Sequence, residues 1–341
     1  MTAYDELESR ARSVLPPDVF GFLDSGAGEG RTLAEQEAAW AAVRLRPRVL
    51  RDVSTVSTAT AVLGTPVAAP VLVAPSAAHA LCDPDGEVAT ASGTRGAGSL
   101  LVLSMRASAR LEDVAAAAGS FWQQIYVLGD RGISDDVARR AAEAGATALV
   151  LTVDTPMIAR KMHGFASAMP RTGIVAELDD RNWSDARYHQ APDLVPADIG
   201  RLAAASGLPV VVKGVLRGDE AARAVDAGAA GVIVSTHGGR QLDGVVPVPV
   251  ALAEVVDAVG DRVEVYADGG VRTGSDVLRA LALGARAVLL GRPVLWALAT
   301  GGAEGVRELL ADLTRDVHEA LALAGCTGCG DVGPDIVTRP A

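Results

Sequence analysis

Residues 263–291 read VEVYADGGVRTGSDVLRALALGARAVLLG. An apolar run ends in two glycines, a segment with helical spacing follows, and a second apolar run closes the stretch. The two runs are continuously apolar rather than alternating, as expected of strands buried on both faces. The segment between them, TGSDVLRALALGA (273–285), starts polar and ends near a glycine, which are start and stop signals of a helix. This is a strand–helix–strand unit of a parallel sheet. Outward from it the pattern recurs: VLVAP (71–75), LLVLS (100–104), WQQIYV (122–127), ALVLTV (148–153), PVVVKG (209–214) and GVIVS (231–235). Amphipathic segments such as GISDDVARRAAEAGA and GDEAARAVDAGAA lie between them. Eight β–α alternations predict an α/β fold, a (β/α)8 TIM barrel, with a doubly wound open sheet as the alternative.

A barrel makes a demand on its strands: the chemistry should collect at their C-terminal ends. Those ends carry Ser76, Ser104, Gln124 with Tyr126, Thr152 with Asp154, Lys213, Ser235 with His237, Asp268 and Arg292. Polar residues at all eight ends, a lysine, a histidine and an aspartate among them, point to one shared pocket. The barrel is expected over 71–325, preceded by a helical and extended segment over 1–70 and followed by a tail over 326–341. The stretch after the fourth strand, about 155–208, is polar and without clear periodicity, and is expected to form a lid loop over the mouth.

The bulk numbers narrow the class. The chain has 341 residues, 49% hydrophobic but only 4% aromatic, so its core is aliphatic. A net charge of −11 without a basic stripe argues against nucleic acid or an anionic membrane as partner. No apolar span and no signal-peptide core is evident, so a cytoplasmic location is expected. Cys326 and Cys329 form a CxxC without a second pair or a histidine cluster, so chance spacing is preferred over a zinc or redox site, and no metal is expected.

The glycine turns of the last two strands suggest an anion site. Gly269 and Gly270 let backbone N–H groups approach a phosphate, Arg272 and Arg292 add charge, and a helix N-terminus follows each turn. No Rossmann or P-loop fingerprint is present. A phosphate here, a lysine inside the barrel at Lys213, and hydroxyls and amides around it suggest a planar phosphorylated cofactor. FMN fits, with the small residues around Ala74, Pro75 and Ser76 leaving room for its ring; pyridoxal phosphate would also use a lysine and a phosphate site. The run STHGGRQLD (235–243) places a base and a cation on a flexible loop at a strand end.

Almost end to end, the chain resembles the FMN-dependent 2-hydroxy-acid oxidase and dehydrogenase family, which includes glycolate, lactate, mandelate and 4-hydroxymandelate oxidases. The resemblance is carried by APSAAHALCDPDGE, WQQIYV, LTVDTP, VVVKGV, STHGGRQLDG and the 267–293 stretch, in order. It implies that FMN is the cofactor and that His237 is the base, oriented by Asp154. It further implies that Lys213 faces the flavin, that Arg240 and Arg160 hold the substrate carboxylate, and that Tyr126 lies beside the substrate oxygen. Ser76, Ser104, Gln124, Thr152 and Ser235 would contact the cofactor, and Asp268, Gly270, Arg272, Gly291 and Arg292 would surround the phosphate. The substrate implied is an (S)-2-hydroxy acid, the acceptor oxygen or another molecule, and the assembly a homo-oligomer, tetrameric in relatives. These roles make chemical sense. Histidine exchanges protons near neutral pH, and arginine grips a carboxylate through two parallel bonds.

Departures from the family pattern bear on the substrate. Phe22 stands where many relatives have a tyrosine that helps bind the carboxylate. Arg106 stands where glycolate oxidases have a tryptophan, so it either enters the pocket and favours a second polar or acidic substituent, or folds outward to an acidic partner. Thr236 replaces a usual asparagine, the lid begins ARKMHG without the arginine-rich family ending, and Met157, Met162 and Met169 are candidates to pack a bulky substrate. Rival readings are a flavoenzyme of the same scaffold with another chemistry (oxidative decarboxylation, amine oxidation or isomerisation) and a non-catalytic FMN-binding barrel. The latter would not need the base.

Overall fold

Successive side chains of a strand face opposite sides, and burial sorts the apolar runs into two sets. The computed structural model describes residues 3–162, 169, 173–174 and 185–338. An antiparallel hairpin, β1 (Thr60–Val62) and β2 (Thr65–Val67), precedes eight parallel strands. These are β3 (Val71–Val73), β4 (Leu101–Leu103), β5 (Phe121–Ile125), β6 (Ala146–Thr152), β7 (Val210–Val215), β8 (Gly231–Val234), β9 (Glu264–Asp268) and β10 (Ala287–Leu290). They close into a barrel in sequence order, β10 pairing with both β9 and β3. Each is followed by a helix, from Gly86–Gly96 after β3 to Arg292–Leu323 after β10. The architecture is therefore the (β/α)8 barrel, and the doubly wound sheet is ruled out.

One set of strand residues packs outward against the helices in a shell that includes Val71, Val73, Leu101, Leu103, Val210 and Val212. The other fills the barrel: Leu72, Val102, Trp122, Val150, Val211, Ile233, Tyr266 and Leu289, one from each strand. Trp122 and Tyr266 meet edge to face with ring centroids 5.5 Å apart. Val62 and Val67 of the hairpin join this inner cluster and cap the N-terminal end of the barrel. At the other end the period of two does the placing. Two residues beyond the inner cluster the same side of each strand reaches Ala74, Ser104, Gln124, Thr152, Lys213, Ser235, Asp268 and Gly291.

One expectation changes. The stretch about 155–208 is not all loop, because Ala197–Ser206 is a helix ahead of β7. Its apolar periodicity is thin: it contains Gly200 and buries only Ile199 and Leu202 of its larger apolar residues, with Asp198 buried beside them. Asp198 is held inside by Arg131 and Arg201, each at 3.1 Å. The segment over 1–70 is helical and then extended, as expected: among its described residues the helices Ala3–Val14, Pro17–Asp24 and Arg31–Ala42 precede the extended part and the hairpin. The tail packs back on that segment through Ile336 and Val337, which are buried, and a bridge from Val337 to Leu45.

Candidate active site

At the C-terminal mouth the strand ends surround a cavity of about 370 Å³. Its wall includes Ala74, Pro75, Ser76, Ser104, Arg106, Tyr126, Lys213, His237, Arg240, Asp268, Gly269, Gly270, Arg272, Gly291 and Arg292, together with Phe22 from the helix Pro17–Asp24. Asp154, Gln124, Thr152 and Ser235 stand just behind it through hydrogen bonds. Arg160, by contrast, is exposed and off the wall, and its neighbour Lys161 lines the cavity.

His237 is the most constrained residue of the group. Its φ is +55°, and Gly238 and Gly239 continue at +62° and +72°, a left-handed turn that only glycine enters freely. A Cβ on Gly239 would lie 2.8 Å from the Leu33 amide nitrogen, so the second glycine also lets the helix Arg31–Ala42 approach. The turn aims His237 Nδ1 at Asp154 Oδ1, 2.9 Å away, while the His237 amide donates to Ser235 Oγ at 2.9 Å. Burial opposes ionisation of Asp154, yet His237, Lys213 and the Thr155 hydroxyl together hold its carboxyl below the usual range. An ionised carboxylate only accepts hydrogen bonds, so Nδ1 carries a proton and Nε2 is the ring nitrogen left facing away from Asp154. Behind the pair, Gln241 Nε2 donates to Thr155 Oγ1 at 2.6 Å, and Thr155 donates to Asp154 Oδ1 at 3.0 Å. Gly214 makes the room, since a Cβ there would come within 2.5 Å of the Asp154 carboxyl carbon.

Lys213 Nζ lies 3.0 Å from Asp268 Oδ2 and 2.9 Å from Ser235 Oγ. Burial works against its charge, but Asp268 and Asp154 overcome this and raise its pKa. Around it Gln124 Nε2 donates to Thr152 Oγ1 at 3.1 Å, and Gln124 Oε1 accepts from the Met105 amide at 3.0 Å. Gly269 and Gly270 sit at φ +87° and +77°, and a Cβ on Gly270 would meet the Gln36 carbonyl at 2.7 Å. Trp40 Nε1 fixes this turn by donating to the Gly269 carbonyl at 2.8 Å.

Arg240 and Arg292 converge on the end of the helix Pro17–Asp24. Arg240 Nη1 donates to the carbonyls of Phe22 (2.8 Å), Leu23 (3.2 Å) and Ser25 (2.8 Å). Its guanidinium lies over the Phe22 ring, 5.0 Å from the centroid. Arg292 donates to the carbonyls of Leu23, Ser25 and Gly238. Burial, with Arg240 adding to it, pushes the Arg292 guanidinium down to about 10. Carbonyls at a helix C-terminus carry partial negative charge, which is why two buried cations settle there. Arg272 pairs with Glu37 at 3.0 Å.

Arg106 is half-buried on the wall beside Tyr126, and Nη2 donates to the Tyr188 carbonyl at 3.2 Å. That bond ties it to the returning arm of the lid, which also pairs with the loop after β5 (Ala191 N to Val127 O, 2.8 Å). The outgoing arm is held by the Met162 amide on the Gly26 carbonyl at 3.0 Å. Met157 and Met162 are exposed, and Met169 lines the cavity. The remainder of the expected lid, 163–168, 170–172 and 175–184, lies outside the described residues.

Comparison with known proteins closes the question of family. The model of the FMN-dependent dehydrogenase family matches residues 11–339. The chain belongs to this family. Its relatives include the 4-hydroxymandelate oxidase of Amycolatopsis orientalis, 44% identical over 95% of each chain. The L-lactate oxidase of a Nostoc strain is 41% identical over 96% of this chain and 95% of that protein. Among solved structures, mandelate oxidase superposes with a TM-score of 0.92 at 42% identity, covering 99% of this chain and 98% of the other. The cofactor of this FMN-dependent family member is therefore FMN, and the chain is an oxidoreductase of the 2-hydroxy-acid oxidase kind.

The cavity suits that cofactor. Asp268 Oδ1 is buried without a hydrogen-bond partner among the described residues. At Gly291 a Cβ would meet nothing nearer than Ser76 Oγ at 4.0 Å, so the wall is open to an incoming group. Two helix starts, after Thr273 and Gly291, flank the paired glycines and could hold a phosphate. Among the described residues no helix is long and apolar enough to cross a membrane.

Sequence reasoning missed Gln36, Thr155, Lys161, Gln190 and Gln241 on the wall and Glu87 behind it. Glu87 is buried and accepts from the His79, Ser108 and Ala109 amides, which clamps the loops after β3 and β4. Gln241 and Glu87 lie inside motifs already singled out, and their type alone gives no sign of the partner.

Proposed function

We propose that this protein oxidises an (S)-2-hydroxy acid to the 2-oxo acid, with His237 as the base. The carrying observation is the His237–Asp154 pair, at 2.9 Å, on the wall of a cavity that also holds Lys213. The proton on Nδ1 leaves Nε2 to take the hydroxyl proton, and Asp154 stabilises the cation that results. Arg240 binds the substrate carboxylate, with the Tyr126 hydroxyl beside the substrate oxygen. Burial, with Asp154 adding to it, raises the Tyr126 pKa, so the phenol keeps its proton and donates. FMN, when bound, accepts the hydride leaving C2 and passes the electrons to oxygen or another acceptor. Lys213 supplies positive charge where the reduced cofactor gains negative charge, and Gln124, Thr152 and Ser104 offer the polar edge with hydrogen bonds. Gly269, Gly270, Gly291 and Arg272 hold the phosphate, and Arg292 supports it from the helix end.

Anaerobic bleaching of the bound flavin by a panel of 2-hydroxy acids tests this. At least one acid bleaches the wild type, and His237→Ala, still yellow, is slowed by about 100-fold or more, the usual scale of general base catalysis. A panel that bleaches nothing, or a His237→Ala protein that reacts at the wild-type rate, overturns the reading.

A further inference from the structure

The His237–Asp154 pair is not isolated. Asp154 receives two hydrogen bonds on the same oxygen: His237 Nδ1 lies 2.9 Å from Oδ1, and Thr155 Oγ1 lies 3.0 Å from it. Oδ2 is buried with no hydrogen-bond partner among the described residues. Whatever Thr155 does at Oδ1 is therefore felt by the atom that faces the imidazole. Thr155 has a single hydroxyl proton, and Gln241 decides where it points. The Gln241 side chain is buried, and its Oε1 accepts from the Ala159 amide, on the outgoing arm of the lid, at 3.3 Å. That leaves Nε2 to face Thr155 Oγ1 at 2.6 Å. An amide nitrogen only donates, so Thr155 accepts there and its own proton goes to Asp154. The two bonds reinforce each other, since a hydroxyl that accepts becomes a better donor.

We propose that Gln241 and Thr155 are positioning residues, a relay that directs one hydrogen bond onto Asp154 and so limits how strongly this carboxylate favours a protonated His237. This rests on the reading of His237 as the base and adds what tunes it. A carboxylate whose charge is shared with the Thr155 hydroxyl stabilises an imidazolium less. His237 then regains its proton-accepting form at a lower pH than it would beside Asp154 alone. Lys213, Tyr126 and Lys161 also interact with Asp154, and Arg240 with Tyr126 and Lys161. Changes confined to Thr155 or Gln241 leave all four in place, so a displacement between variants isolates the relay.

Diethyl pyrocarbonate reads the relay without turnover, because it modifies only the unprotonated imidazole. Its rate at His237 of the holoenzyme, followed by peptide mass spectrometry over a pH series, gives a midpoint. T155V removes the hydroxyl and moves the midpoint up by roughly half a pH unit or more, the scale of one hydrogen bond to a carboxylate. T155S, which keeps the hydroxyl, restores it. Q241M, which cannot donate, moves the midpoint the same way by less, and adds nothing further to T155V. The flavin spectrum of each variant reports that its site is assembled. The acidic limb of kcat/KM, for a hydroxy acid that bleaches the flavin, moves with the midpoint. A purely structural role slows the reaction at every pH and leaves the midpoint in place, and that result overturns the relay. Full additivity of T155V and Q241M overturns it as well. A midpoint that moves while the limb of kcat/KM stays keeps the relay and overturns His237 as the base instead.

Discussion

At the scale of the residue, His237 shows how a catalytic side chain is bound to an unfavourable backbone. A non-glycine residue at φ +55° is strained, by roughly 1–2 kcal/mol in the left-handed region. His237→Gly is therefore expected to be more stable than His237→Ala by about 1 kcal/mol, although both lose the base. Chemical denaturation of the two variants checks this, and equal midpoints would show that the turn stores no strain. His237, Arg240, Lys213 and Asp154 were legible in the sequence because their side-chain types, at the ends of apolar runs, have few structural uses. Thr155 and Gln241 were not, because they act through each other across 86 positions and carry no distinctive chemistry alone. Arg106 was legible as an anomaly, and only the fold shows it half-buried on the wall.

At the scale of the element, the helix Arg31–Ala42 is positioned from a distance. Gly30 at its N-cap supplies no side chain, and Asp243 takes over: Oδ1 accepts from the Thr32 amide and Oδ2 from the Glu29 amide, both at 2.9 Å. Thr32 Oγ1 answers by accepting from the Gly244 amide at 2.8 Å. The Thr32 amide first, then those of Arg31 and Glu29, lower the Asp243 carboxyl from 3.8 to about 2. A lowered pKa stabilises the fold fully above 3.8, and the benefit is lost as pH falls through about 2. Asp243→Ala should thus melt earlier than wild type near neutral pH, with a gap that narrows in this acid window. Thermal melts over a pH series read it, and a gap that widens on acidification would contradict the clamp. Because this helix carries Gln36 and Trp40 to the glycine turn, the variant should also lose flavin more readily. The strands could be read in advance because their burial on both faces makes them plainly apolar. The helix Ala197–Ser206 could not, because polar contacts through Asp198 fasten it as much as an apolar stripe does.

For the whole molecule, the barrel gathers like charges that repel until a ligand arrives. Arg240 and Arg292 both lie at one helix end, and the Arg292 guanidinium is lowered to about 10 by burial and that neighbour. Removing FMN should therefore lower the melting temperature. A ligand at 100 times its Kd adds about 2.7 kcal/mol of stability, and inorganic phosphate should restore part of the loss. Calorimetry of the apoprotein with and without phosphate checks this, and no response to phosphate would argue against an anion site at the glycine turns. Barrel architecture was legible because eight repeats of one pattern leave few alternatives, whereas the extent of the lid was not, since a loop and a weakly apolar helix look alike in sequence. With Val62 and Val67 stoppering the N-terminal end, the barrel of the described residues opens toward its C-terminal mouth. A molecule that reaches the strand ends therefore does so from the side where His237 and Arg240 stand, and the plugged end serves as a floor.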